Sequence, residues 1–180
     1  MQVRKVSFFP SLAQIVTMAR PQRGIVMTEQ IAIQDQIQGN HCFGCGSDND
    51  QGLRIKSYWV EPDKSRCEFT PSPYHNAGPA QYLNGGIIAT VIDCHTICTA
   101  IADGYLQAGR NVGSGDKIWF ATGKLDIKYL APAAIDKPVI LEASIVERGP
   151  KKTILHCDLR SDGRLCAKAE VVAVKVPDEW

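Results

Sequence analysis

The most informative stretch of the chain is residues 83–105, LNGGIIATVIDCHTICTAIADGY; between its opening Asn84-Gly85-Gly86 and its closing Asp103-Gly104 it holds one carboxylate, Asp93, one histidine and no Lys, Arg or Glu. At about 100° per residue, Ile88, Val91, Ile92, Cys98 and Ala102 fall on one apolar stripe. The opposite side carries Gly86, Ala89, Thr90, Asp93, Ile97 and Ala100, small rather than charged. A surface helix would show a solvated face; a helix apolar all round is enclosed by protein or by lipid. Asp93 at mid-segment would cost about 2.5–3.5 kcal/mol at a bilayer centre, so burial in protein is expected. Asn84 is a good N-cap, Gly85-Gly86 opens the helix, and Asp103-Gly104 reads as its stop signal.

Beyond the helix the hydrophobic period changes to two. In residues 124–129, Leu125, Ile127 and Tyr129 alternate with Lys124, Asp126 and Lys128. Further strands are expected at 139–146, 153–159 and 165–176. They are bounded by the turn signals Asp136-Lys137-Pro138, Arg148-Gly149-Pro150 and Ser161-Asp162-Gly163. Ahead of the helix, 53–60 and 66–70 read as a hairpin around Glu61-Pro62-Asp63. Short connections of this kind join antiparallel neighbours. The pattern predicts an α+β fold, with a curved antiparallel sheet of about six strands wrapped around one long central helix.

Length and composition narrow the partners. The 180 residues suit one domain plus a short extension, with a formal net charge of +1. That balance gives no electrostatic case for nucleic acid or an anionic membrane surface. Seven cysteines, an odd number without the spacing of a disulfide framework, point to reduced thiols and a cytoplasmic setting. Residues 1–26 carry Arg4, Lys5, Arg20 and Arg23, with no acid before Glu29. Pro10, Gln14 and Thr17 interrupt their apolar run, so an extension ahead of Met27 is favoured over a targeting segment. Residues 1–39 are expected as a partly flexible extension and 40–180 as the folded domain.

Three segments together resemble the hotdog-fold thioesterases, in particular the PaaI-like acyl-CoA thioesterases. They are Asn84-Gly85-Gly86 followed by Asp93 two turns later, the post-helix run LDIKYLAPA from Leu125, and an upstream NHCFGCG from Asn40 followed by Gly52-Leu53. The resemblance spans about residues 40–176. It implies a hotdog fold, hydrolysis of an acyl-CoA thioester, no cofactor, no membrane span, and a homodimer or a dimer-of-dimers tetramer. It also implies a role for Thr122, where relatives carry a hydroxyl that helps hold the attacking water. One departure is evident: the histidine of the family's His-Gly-Gly is Asn84 here, which can cap the helix but cannot titrate near neutral pH.

The residues themselves suggest a division of labour. First-turn N–H groups at Gly85 and Gly86 can polarise a thioester carbonyl, and the glycines let an acyl group approach the backbone. Asp93 supplies the general base or nucleophile. At about 1.5 Å per residue, Asp93 lies roughly 10 Å along the axis from Gly86, whereas reacting atoms must meet within about 3–3.5 Å. The carboxylate must therefore serve a second subunit's helix N-terminus. His75 and Asn76, in the loop before the helix, and Thr90, one turn after Gly86, are expected to line the substrate pocket.

Other readings of the same residues remain. The Asn84 replacement suits a non-catalytic acyl-CoA-binding hotdog protein, and the fold also accommodates hydratases or dehydratases. Cys94 and His95 point about 100° apart on a helix and do not form a dyad; His95 is expected as a core histidine. Cys42-x-x-Cys45 beside His41 is the one metal-like cluster. A structural zinc site wants four ligands, no second Cys-x-x-Cys exists, and Cys94 and Cys98 lie in the buried helix. The motif is therefore read as local turn packing, with no metal.

Overall fold

The long apolar segment forms helix α1, Gly85–Gln107, and the period-two segments form six strands that enclose it. The structure, a computed structural model, describes residues 30–177, so the readings made for residues 1–26 lie outside it. The strands are β1 Ser57–Glu61, β2 Lys64–Phe69, β3 Phe120–Tyr129, β4 Val139–Arg148, β5 Lys152–Ser161 and β6 Arg164–Lys175. They make one antiparallel sheet in the order β1-β2-β4-β5-β6-β3, so β1 and β3 are its edges. The sheet curves around α1, which packs against all six strands. This is the hotdog arrangement.

Alternation along the strands builds the core. In β4 and β5, Val139, Leu141, Ala143, Leu155, Cys157 and Leu159 face inward, against Val91, Ile92 and Ile101 of the helix. The helix is long and apolar enough to cross a membrane, but most of that apolar window is buried inside the protein. Ile33 and Gln34, in a short 3-10 helix at Ile33–Gln36, and Ile37 behind it are also buried, so the core begins upstream of Asn40.

Among the boundaries that differ from the sequence reading, two have a specific physical reason. The helix does not stop at Asp103-Gly104; it runs on to Gln107, with Ala108 as C-cap and Gly109 in the left-handed region at φ 67°. Asp103 is buried and accepts hydrogen bonds from Arg148 Nε at 3.0 Å and Nη2 at 3.0 Å, a pairing that makes it a core residue. Gly104 is required by packing: a Cβ there would lie 2.9 Å from Ile118 and 3.0 Å from the Phe120 ring.

The second difference concerns residues 53–56, which are not strand. Arg54 has φ 53°, and the N–H groups of Leu53 and Ile55 donate to the carbonyls of Phe43 and Gly44. Their hydrogen bonds thus go to the Cys42–Cys45 turn, and β1 begins only at Ser57.

A buried polar relay joins the 3-10 helix, β1, β2 and α1. Gln34 Nε2 donates to Ser57 Oγ (2.8 Å), so Ser57 donates to His95 Nδ1 (2.8 Å). The neutral ring then carries its proton on Nε2, facing Ser65 Oγ at 3.4 Å, and Ser65 pairs with Thr99 Oγ1 at 2.6 Å. Thr99 completes the chain by donating to the His95 carbonyl. His95 is a core histidine at 0% exposure, and burial pushes its pKa down to about 4.

Candidate active site

The side of α1 that carries small residues is its least covered. Gly86, Ile87, Ala89, Thr90, Asp93 and Ile97 keep some exposure, while the opposite stripe is sealed against the sheet. The site residues named from the sequence lie along this face, in two separate groups.

The first group surrounds the helix N-terminus. Asn84 caps α1: its Oδ1 accepts the Gly86 N–H at 2.7 Å, and its carbonyl accepts the Ile88 N–H. The Gly86 N–H is thus occupied, while those of Gly85 and Ile87 are not bonded to the cap. Tyr129 Oη donates to the Gly85 carbonyl at 2.8 Å, and Thr90 Oγ1 to the Gly86 carbonyl at 2.9 Å. Asn84, Gly86, Thr90, His75 and Asn76 line one open depression of about 430 Å³. His75 is held by a capping box in which its Nδ1 accepts the Ser72 N–H at 3.0 Å. Its ring stacks on Phe69, and burial lowers its pKa from the ordinary value.

The second group surrounds Asp93. Thr122 Oγ1 donates to Asp93 Oδ1 at 2.5 Å. A β-bulge in β3 supports this contact, because the register against β6 slips between Thr122 and Lys124, at Gly123. A Cβ on Gly123 would meet Val174 at 2.5 Å, so a side chain there would force Val174 to move. Burial raises the Asp93 pKa from its ordinary value, and the Thr122 hydrogen bond partly opposes it. The carboxylate opens onto a cavity of about 420 Å³ whose walls include Ile97, Ile101, Trp119 and Phe120. An apolar pocket with a partly desolvated carboxylate and one hydroxyl can activate a water molecule beside an acyl chain.

Sequence reasoning did not place cysteines at this cavity. Cys42, Cys45, Cys94 and Cys98 line it together with Asp93. The sequence left Cys94 and Cys98 apart from the Cys42-x-x-Cys45 turn; the fold brings the two pairs together. Cys42 Sγ lies 3.6 Å from Cys94 Sγ, and Cys45 Sγ lies 3.7 Å from Cys98 Sγ. Hydrogen bonds from Cys42, Cys94 and Cys98 hold Cys45 well below the ordinary thiol range, while Cys94 and Cys98 are pushed up. The available signal was the spacing: Cys94 and Cys98 are one helical turn apart and so share a face.

Comparison with known proteins agrees with this architecture. Residues 80–168 match the thioesterase superfamily. The acyl-coenzyme A thioesterase THEM4 of Xenopus laevis is 30% identical over 112 residues, which is 61% of this chain and 44% of that protein. The chain therefore spans under half the length of that curated relative. The crystal structure of thioesterase superfamily member 2 from Mus musculus shares 20% identity at a TM-score of 0.53, over 69% of this chain and 84% of that one, a likeness of fold alone. A thioesterase superfamily protein from Shewanella loihica is 33% identical, with a TM-score of 0.53, over 68% of this chain and 91% of its own. With a helix wrapped by six antiparallel strands and a relative of that similarity matched over nearly its whole length, the chain belongs to the thioesterase superfamily.

Proposed function

We propose that the protein hydrolyses acyl-CoA thioesters, with Asp93 of one subunit acting on a carbonyl held at the helix N-terminus of its partner. The observation that carries this reading is the separation of the two groups within one chain. Asp93 with Thr122, and Asn84 with Gly86, line different depressions along one helix face. A two-fold axis that laid this face against its copy would bring each carboxylate to the other chain's first turn. The known activity of the Xenopus relative suggests the CoA ester as substrate.

In this scheme the carbonyl oxygen accepts first-turn N–H groups as it gains negative charge, an interaction typically worth about 2.7–4 kcal/mol per donor. Asp93, as base, takes a proton from water while the water oxygen attacks the carbonyl carbon. Collapse of the intermediate breaks the C–S bond, and the thiolate leaves with the proton returned by Asp93. As nucleophile, Asp93 would instead attack the carbonyl carbon and expel the CoA thiolate as the C–S bond breaks, leaving an anhydride that water then opens to the free acid and the carboxylate. A carboxyl pKa raised by burial strengthens either role.

Steady-state hydrolysis across a panel of acyl-CoA esters tests this, with Asp93→Asn and Asp93→Ala as comparisons. The expected loss is about 10²–10⁴-fold for both variants. Full activity in either one removes Asp93 from the mechanism, and a strictly monomeric, fully active protein by native mass measurement removes the two-subunit site. A second reading, an acyl-CoA-binding protein without turnover, is favoured by the untitratable Asn84, whose side chain occupies the Gly86 N–H. Tight CoA-ester binding with no hydrolysis would establish it. The hydratase alternative loses its helix histidine, because His95 is sealed in the core.

A further inference from the structure

The sulfur atoms of Cys42, Cys45 and Cys94 all lie within 4.8 Å of one another where the Cys42–Cys45 turn crosses α1; Cys98 Sγ stands outside that group, one helical turn further on, but 3.7 Å from Cys45 Sγ. Tetrahedral zinc binds thiolates at about 2.3 Å, which sets the sulfur–sulfur edge at about 3.8 Å. The observed 3.6 Å between Cys42 and Cys94 and 3.7 Å between Cys45 and Cys98 are close to that edge. Both spacings, two intervening residues in the turn and three in the helix, fall within the range of structural zinc sites.

The backbone of the turn is shaped for this approach. A Cβ on Gly44 would sit 2.3 Å from Cys94 Sγ, so a side chain at this one of the two residues between the turn cysteines would displace that sulfur. Gly46 donates its N–H to the Cys42 carbonyl at 2.8 Å, and a Cβ there would strike the carbonyl of Asn40 at 2.5 Å. A disulfide would use only two of the four thiols and would need its sulfur atoms at about 2.05 Å. The other three cysteines, Cys67, Cys157 and Cys166, lie buried on β2, β5 and β6.

We propose that Cys42, Cys45, Cys94 and Cys98 bind one zinc ion that fastens the turn to the middle of α1. Thiolates are the soft donors that select zinc over magnesium or calcium, and each loses its proton on binding. Four protein ligands leave no open coordination position, so the ion is structural and activates no water. Its position beside the Asp93 cavity makes it a fixed wall of that cavity. The proposal is independent of the thioesterase reading, because metal content is measured without substrate.

The experiment is elemental analysis of the full chain purified under reducing conditions, followed by titration of its thiols with an organomercurial in the presence of a chromogenic chelator. The expected result is about one zinc per chain, released as the cluster cysteines are modified. Replacement by cobalt should give the charge-transfer and ligand-field bands of a tetrahedral thiolate site. Cys94→Ser and Cys98→Ser should lose the metal, whereas Cys157→Ser should keep it. If the serine variants fail to fold, the wild-type readings decide alone. Reduced wild-type protein without stoichiometric zinc and without cobalt bands overturns the proposal. So does a Cys42–Cys94 disulfide recovered from metal-free protein, or metal retained in full by Cys94→Ser.

Discussion

The relay around His95 makes a quantitative claim about acid sensitivity. The folded protein holds this ring neutral, with its pKa lowered by burial from 6.5 to about 4. At about 1.4 kcal/mol per tenfold change in proton affinity, that difference is worth about 3 kcal/mol. The unfolded chain takes up the proton below about pH 6.5, and the folded chain resists until about pH 4. The contribution is therefore whole above the unfolded pKa and is lost as the pH falls through this window. Against a typical domain stability of about 5–15 kcal/mol, this loss is large.

The perturbation that isolates it is His95→Gln, whose amide can accept from Ser57 and donate to Ser65 without titrating. Urea unfolding at fixed protein concentration gives the stability of both proteins across the range. Wild type should lose about 2.5 kcal/mol more than the variant between about pH 7.5 and 4.5. Other titrating groups act equally in both proteins and cancel. Parallel stability curves would refute a neutral buried imidazole, and with it the tautomer assigned to the relay.

Three further outcomes follow from the contacts described. Thr122→Ala removes the hydrogen bond that lowers the Asp93 pKa, so the acid limb of the kcat/KM profile should move to higher pH. Activity at neutral pH should fall about tenfold, from about 1.5 kcal/mol for a bond to a charged group; an unmoved acid limb would show that the two groups are not coupled. Arg148→Ala strands the buried Asp103 carboxylate and should cost about 3 kcal/mol in denaturant unfolding, the low end for such pairs because the guanidinium is partly exposed. Gly104→Ala gains about 1 kcal/mol of helix propensity but forces Ile118 and Phe120 apart, at about 1–3 kcal/mol. Thermal unfolding should show a net loss, and stabilisation would mean the neighbours yield freely.

Local signals carried the parts of the fold that depend on near neighbours. Asn84 and Gly86 are two residues apart, and the cap they form was readable from their order. The strands were readable from alternation, and Asp93 stood out as a lone acid in an apolar run. Contacts between distant residues were not readable. Asp103-Gly104 carries the letters of a helix stop, yet Arg148, 45 positions away, converts the aspartate into a core ion-pair partner. Residues 53–56 have the composition of a strand but pair with a turn. The four cysteines escaped notice as a group because one pair lies in a turn and the other, about fifty positions later, in a helix. Thr122 was placed by resemblance, and its bond to Asp93 depends on a bulge at Gly123 that no local pattern announces.

Because the cap and the acid stand on one helix, their separation behaves like marks on a ruler. Adding or removing a single residue between Gly86 and Asp93 would turn the acid by about 100° and shift it by about 1.5 Å, swinging it away from β3 and into the sealed core. The intervening stretch cannot change length without losing the site. On the proposed activity, differences in the acyl group handled must instead be written in the surrounding walls, at positions such as Ile97, Ile101 and Trp119, where side chains can vary while the ruler stays fixed.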